Sequence, residues 1–312
     1  MRFPAALALA LSVALSGCSS GGRQPLPPPG TPLPAPVELE EDPLARWPEL
    51  LLLPGRAADL RYSPDALDRA AQVQRRLEEI AETLKAVAGE PVRLGALVLD
   101  REAWEKAQPG RVWGLPTHTG ALVFALAAEG DDETVRRMRA LTGGWLPPLA
   151  GEPFRGTAEE AASLAAADSL LQLEVATAFL EERHLRGEEP WVGALLAQLV
   201  ARLAWERTDA GQVTAVADLF DRMALTAGRG RPLRLADYRR GLPLEEDLAF
   251  QAAFLRGADL LWVELGERGA ARFLQRLLRA HLAVPRATLE KELPELGEWE
   301  RRHFAPVSAP NP

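Results

Sequence analysis

Few side chains in this sequence stand where their spacing could do chemistry. The first is Cys18, the single cysteine, directly after Leu15, Ser16 and Gly17. One cysteine excludes an intrachain disulfide, so its sulfur is free for another covalent fate. The second is Glu174, within Leu173-Glu174-Val175-Ala176-Thr177. A carboxyl among Leu170, Leu171, Leu173 and Val175 must, if buried, pair with a base or keep its proton with a raised pKa. We expect it to face a cleft between two helices, partly solvated or paired with an arginine. The histidines are His118, His184, His281 and His303, and none lies within five residues of another, which excludes a local chelate. Glu181 and Glu188 flank His184 at i−3 and i+4, a spacing that suits a weak surface metal site and, more commonly, a solvated helix face. His118, in Pro116-Thr117-His118-Thr119-Gly120, reads as a turn residue before a strand, with cleft lining as the alternative. No G-x-S-x-G elbow, Walker-type loop or strand–GxGxxG–helix occurs. No cofactor or metal is therefore expected.

The surroundings of Cys18 give it a role. Met1-Arg2-Phe3 is a short positive start, and Ala5 to Leu15 is an apolar run broken only by Ser12. Eleven residues are too few to span a bilayer, which needs ~20, but they suit the apolar core of a secretory signal. Leu15-Ser16-Gly17-Cys18 resembles the signal of bacterial lipoproteins: Leu, two small residues, then the lipidated Cys. The resemblance implies a signal peptide over 1–17, cleavage before Cys18 and a diacylglycerol on its sulfur, and Ser19 after it implies the outer membrane. Membrane attachment then rests on Cys18, with an envelope protein as a further partner. Pro25, Pro27, Pro28, Pro29, Pro32, Pro34 and Pro36 make residues 18–46 a proline-rich linker, read as a tether without a fixed length, with an extended polyproline rod as the alternative.

The elements that must position Glu174 follow from periodicity. Ser63-Pro64-Asp65 reads as a helix start, and Leu67, Ala70, Val73, Leu77, Ile80, Leu84 and Val87 continue it to Gly89. Val92–Leu99 and Ala121–Ala127 read as strands, joined through Ala103-Trp104 and a Gly/Pro-containing connection over Pro109–Gly120. A helix spans about 132–141. Thr157-x-x-Glu160 is a capping box opening a central helix to about His184. Further helices are expected at about 191–207, 211–226, 244–266, 268–282 and 286–303, the last split near Pro294 and Gly297. The fold class is α+β and predominantly helical: an α/β part with few strands over 47–150, a helical bundle over 151–304, and a frayed tail over 305–312.

Leu173–Thr177 followed by Pro190-Trp191-Val192-Gly193-Ala194 resembles the gluzincin, peptidase MA-like, family of zinc peptidases. That family carries H-E-x-x-H on one helix and a third ligand, Glu, on the next. Two His at i and i+4 share a helix face and hold Zn²⁺, and the Glu between them is the general base. The strand, Trp-containing helix and second strand before the motif match the family in order. Leu248–Gly266 and Gly269–Glu300 match its later helices, so the layout extends over about 90–303. In this alignment Glu174 is the base, while the ligand positions are Leu173, Thr177 and Ala194. Leu, Thr and Ala cannot supply a zinc site. The resemblance therefore implies a gluzincin-like body without peptidase activity, with Glu174 a vestige.

Composition narrows the rest. Acidic residues number 44 against 36 basic ones, a net charge of −8. That argues against nucleic acid as a partner. Of the basic residues only Lys85, Lys106 and Lys291 are lysine, which reads as G/C-rich coding and makes Ala- and Leu-rich helices uninformative about function. The eight tryptophans should mostly be core, with room for an exposed recognition site. The expected function is that of a lipid-anchored envelope protein whose inactive peptidase-like body binds or scaffolds. The alternatives are a hydrolase using a non-zinc site and a structural envelope lipoprotein of unrelated fold.

Overall fold

The computed structural model describes residues 42–145, 157–209, 212–227, 233–239, 241–280 and 282–305. Cys18, the signal segment, most of the linker, His281 and the tail from 306 lie outside the described residues. Five strands form one sheet: β1 (Leu51–Leu53), β2 (Ala58–Tyr62), β3 (Leu94–Leu99), β4 (Thr117–Gly120) and β5 (Val123–Ala127), in the order β1-β2-β3-β5-β4. β2, β3 and β5 run parallel, and β1 and β4 pair antiparallel at the edges.

Every residue of β3 and β5 is buried, as expected for parallel strands covered on both faces. Alternation along them decides which layer each side chain joins. Ala96, Val98, Phe124 and Leu126 enter the main core with α1 (Leu67–Ala88), whereas Leu97, Leu99, Val123, Ala125 and Ala127 pack with Leu44, Leu50, Trp104 and Trp113. Trp104 lies on α2 (Arg101–Ala107), and α3 (Asp132–Thr142) follows the sheet.

The helical part comprises α4 (Ala158–Asp168), α5 (Leu171–Glu182), α6 (Pro190–Asp209), α7 (Gln212–Ala227), α8 (Leu244–Ala280), α9 (Arg286–Glu292) and α10 (Leu296–His303). The chain is thus α+β and predominantly helical. α6 packs against α1, α5, α7 and α8, and Trp191, Val192, Leu195, Leu196, Leu199, Val200, Leu203 and Trp205 along it are all buried. One continuous core joins sheet and bundle, from Ala58 to Phe304.

Several elements differ from the sequence-based expectation. α1 begins at Leu67 with Ala66 as its cap, two residues past Asp65. The Ser63 hydroxyl instead accepts from the Asp100 backbone N–H at 3.0 Å, fastening the ends of β2 and β3 together. The single helix expected from Thr157 to His184 is two. The capping box is present at Thr157 and Glu160, but the ladder breaks at Ser169 and Leu170. There the Leu170 N–H reaches back only three residues, to the Ala167 carbonyl, and the Ser169 hydroxyl bonds the Ala166 carbonyl at 2.6 Å. The supposed connection over Pro109–Gly120 contains strand β4, which places His118 in the sheet rather than in a turn. β1 and β2 were not expected. Helices on either side of Gly266 abut directly, with that glycine at φ 64° and ψ 169°. All eight tryptophans are at least partly buried, so none forms an exposed recognition site.

Candidate functional site

α5 lies beside α6 and the edge strand β4. Along α5, Leu173, Glu174 and Thr177 turn toward one space together with Leu180 and Glu181. α6 adds Gly193, Ala194 and Ala197 from its first turns, and α8 closes the far side with Leu244, Asp247 and Gln251. The result is a cavity of about 450 Å³, with Arg111, Leu185, Pro190, Tyr238, Gly241 and Leu242 completing its wall. The structure therefore brings together Leu173, Glu174, Thr177 and Ala194, the four positions singled out in the sequence.

Local chemistry explains how α6 reaches this place. Pro190 occupies the first helical position, where its missing N–H costs nothing. Trp191 is buried against Trp299, with ring centroids 6.1 Å apart, and its indole N–H donates to Glu189 at 2.7 Å. Gly257 on α8 lets the helices close in. A side-chain carbon there would sit 2.9 Å from both Leu195 and the Trp299 ring.

The cavity holds three acids, Glu174, Glu181 and Asp247, and one base, Arg111, among the described residues. Burial pushes the Glu174 carboxyl up to about 7, and the charges of Asp247 and Glu181 push the same way, while Arg111 opposes them from a distance. Burial also raises Asp247, against a stabilising hydrogen bond from Gln251. Gln251 is the centre of a polar chain. Its Nε2 donates to Asp247 Oδ1 and to the Tyr238 hydroxyl, each at 3.3 Å, and its Oε1 accepts from Gln198 at 3.0 Å. No hydrogen bond or ion pair to the Glu174 carboxyl occurs among the described residues, so of the two alternatives, partial solvation or an arginine partner, the described residues show the first.

The donor set does not fit zinc. Leu173 and Ala194 offer hydrocarbon and Thr177 a neutral hydroxyl. Among the described residues no group of three or more His, Cys, Asp or Glu side chains is arranged to hold a metal ion, and that includes His184 with Glu181 and Glu188. His118 packs its ring 5.4 Å from Phe124, half-buried, and burial lowers its pKa despite the nearby Glu181 and Glu182.

Searches against protein-family models and curated proteins find no match to this chain. The site must be read from its own residues. Sequence reasoning missed Asp247, Tyr238, Gln251 and Arg111. Asp247 sits among Glu245 and Glu246 in the first turn of α8, where acids are ordinarily explained by the helix dipole. Nothing local marks it as the neighbour of Glu174.

Proposed function

We propose that this protein is a lipid-anchored component of the cell envelope, tethered through Cys18, whose body is a metallopeptidase-like scaffold used for binding rather than zinc hydrolysis. The observation that carries this reading is the convergence of Leu173, Glu174 and Thr177 on α5 with Ala194 on α6 at one cavity. Leu173, Glu174 and Thr177 share a helix face by their spacing alone, so the weight falls on Ala194 of the next helix meeting them at the same cavity. The retained cavity provides concave surface of a size suited to a small ligand. The proline-rich segment suits a tether between membrane and body.

Rebuilding the ligands tests the register. The Leu173→His/Thr177→His/Ala194→Glu variant is expected to bind one zinc per chain, measured by elemental analysis, with the unmodified protein binding none. Stoichiometric zinc and peptide cleavage in the unmodified protein would overturn the reading, and so would a grafted variant that takes up no zinc. For the anchor, Cys18→Ala should move the protein from the membrane to the soluble fraction. Retention on the membrane would sink the lipid assignment.

A second reading has one observation in its favour. Glu174 and Asp247 share a cavity, as the paired carboxyls of a non-zinc hydrolase do, and the raised pKa of Glu174 suits a general acid. It predicts turnover abolished by Glu174→Gln. The binding reading predicts no turnover to abolish.

A further inference from the structure

The cavity between α5, α6 and α8 has an imbalance that the loss of the metal ligands does not explain. Leu173, Leu180, Leu185, Leu242 and Ala197 give its mixed lining an apolar side, and two carboxyls open into it, Glu174 from α5 and Asp247 from α8. Glu174 is largely enclosed and has no hydrogen-bond partner among the described residues. A largely enclosed carboxyl with only water to bind is costly to ionise, and a cation in the cavity would relieve that cost. Asp247 uses one oxygen, Oδ1, for Gln251, and that bond fixes the carboxyl in place. Gln251 is itself held by Gln198 and Tyr238, so Asp247 is mounted on a rigid, buried chain.

We propose that the cavity binds a primary organic ammonium ion carried on an apolar chain, with Glu174 and Asp247 as its counter-charges. This deepens the binding part of the reading above and rests on that part, not on the metallopeptidase register. Among the described residues of the wall, Glu174 and Asp247 face a single base, Arg111, at the exposed rim, which disfavours an anion. A bare metal ion is disfavoured because it needs more ligands than these walls supply. An alkylammonium group satisfies both features at once. Its three N–H donors match the two carboxyls, and its hydrocarbon chain matches the leucine wall.

Charge in the cavity then sets a pH dependence. The groups that face Glu174 are Glu181 on the same helix, Asp247 on α8 and Arg111 at the rim. α6 presents no charge, and His118 on β4 lies nearer Glu181 and Glu182. With Glu174 ionising near 7, the cavity gains negative charge as pH rises from 6 to 8. An alkylammonium stays positive throughout that range, so binding should strengthen with pH.

The test is calorimetric titration of the full-length protein with n-hexylamine, and with n-hexanol and hexanoate as neutral and anionic controls. At pH 8 hexylamine should bind at least about tenfold more tightly than hexanol, and hexanoate should not bind. Glu174→Gln and Asp247→Asn should each weaken hexylamine about tenfold or more, and so should lowering the pH to 5. Glu174→Gln removes a buried charge, so its fold is retained, and circular dichroism checks this. Equal affinity for hexanol, unchanged affinity in both variants, or no binding of hexylamine up to about 10 mM would each overturn the proposal. These results are independent of the zinc graft. A failed graft removes the metallopeptidase register and leaves amine binding standing, whereas failed amine binding leaves the graft unaffected.

Discussion

At Glu174 the protein keeps a carboxyl whose proton leaves only near neutral pH. The unfolded chain loses that proton near 4.5, so between about 4.5 and 7 the folded state binds more protons than the unfolded state. Stability must then fall as pH rises through this window, and the loss is complete above it. Glu174→Gln removes the effect. Its melting temperature should exceed that of the unmodified protein at pH 8, by up to about 3 kcal/mol in stability, and match it at pH 4. Thermal unfolding at the two pH values checks this, and an equal difference at both would place the cause elsewhere. Asp247 shifts in the same direction, which makes the pair the main acid-favoured feature of the cavity. The sequence made Glu174 legible because its apolar neighbours raise the question of a partner at once. It left Asp247 illegible because the two acids lie 73 positions apart and meet only when α8 folds across α5 and α6.

Helices with strong caps or stops were the most legible elements. α3 begins at Asp132 with Asp131 as its cap, and Pro190 and Gly89 mark the start of α6 and the end of α1. The short edge strands were not legible. β1 has three residues and β4 has four, with Thr117–Gly120 showing no apolar alternation, so their pairing depends on neighbours distant in sequence. The break between α4 and α5 was hidden for the opposite reason: Ala- and Leu-rich sequence continues helically through it, and only the hydroxyl of Ser169 and the change to shorter-range bonding end the ladder. Gly266 is the comparable joint within α8, and its backbone lies in a region essentially closed to residues with a side chain. Gly266→Ala should lower stability by about 1–3 kcal/mol in urea unfolding, although a methyl group there meets open space. An unchanged midpoint would mean that the joint is not needed.

At the scale of the whole molecule, a buried ion pair among the described residues ties sheet to bundle. Arg69 on α1 donates to Asp168, the last residue of α4, at 2.6 Å and reaches the Ala127 carbonyl at the end of β5, while Arg76 approaches the same carboxylate at 3.6 Å. Asp168→Ala removes the carboxylate from between two guanidinium groups, and a loss of about 3–5 kcal/mol is expected in chemical denaturation. A loss below about 1 kcal/mol would show that the tie is dispensable. The same aspartate has a consequence before the protein is folded at all. Ala158–Glu182 is, among the described residues, the one stretch long and apolar enough to cross a membrane by length and composition. On the proposed route the newly made chain must pass through a translocation channel, and such a stretch risks leaving it sideways into lipid. Asp168 and Glu174 sit near its middle, where an acidic side chain costs about 2.5–3.5 kcal/mol to place in the bilayer. If the chain takes that route, two such residues favour passage over arrest, and the acids of core and cavity would also keep the segment out of the membrane.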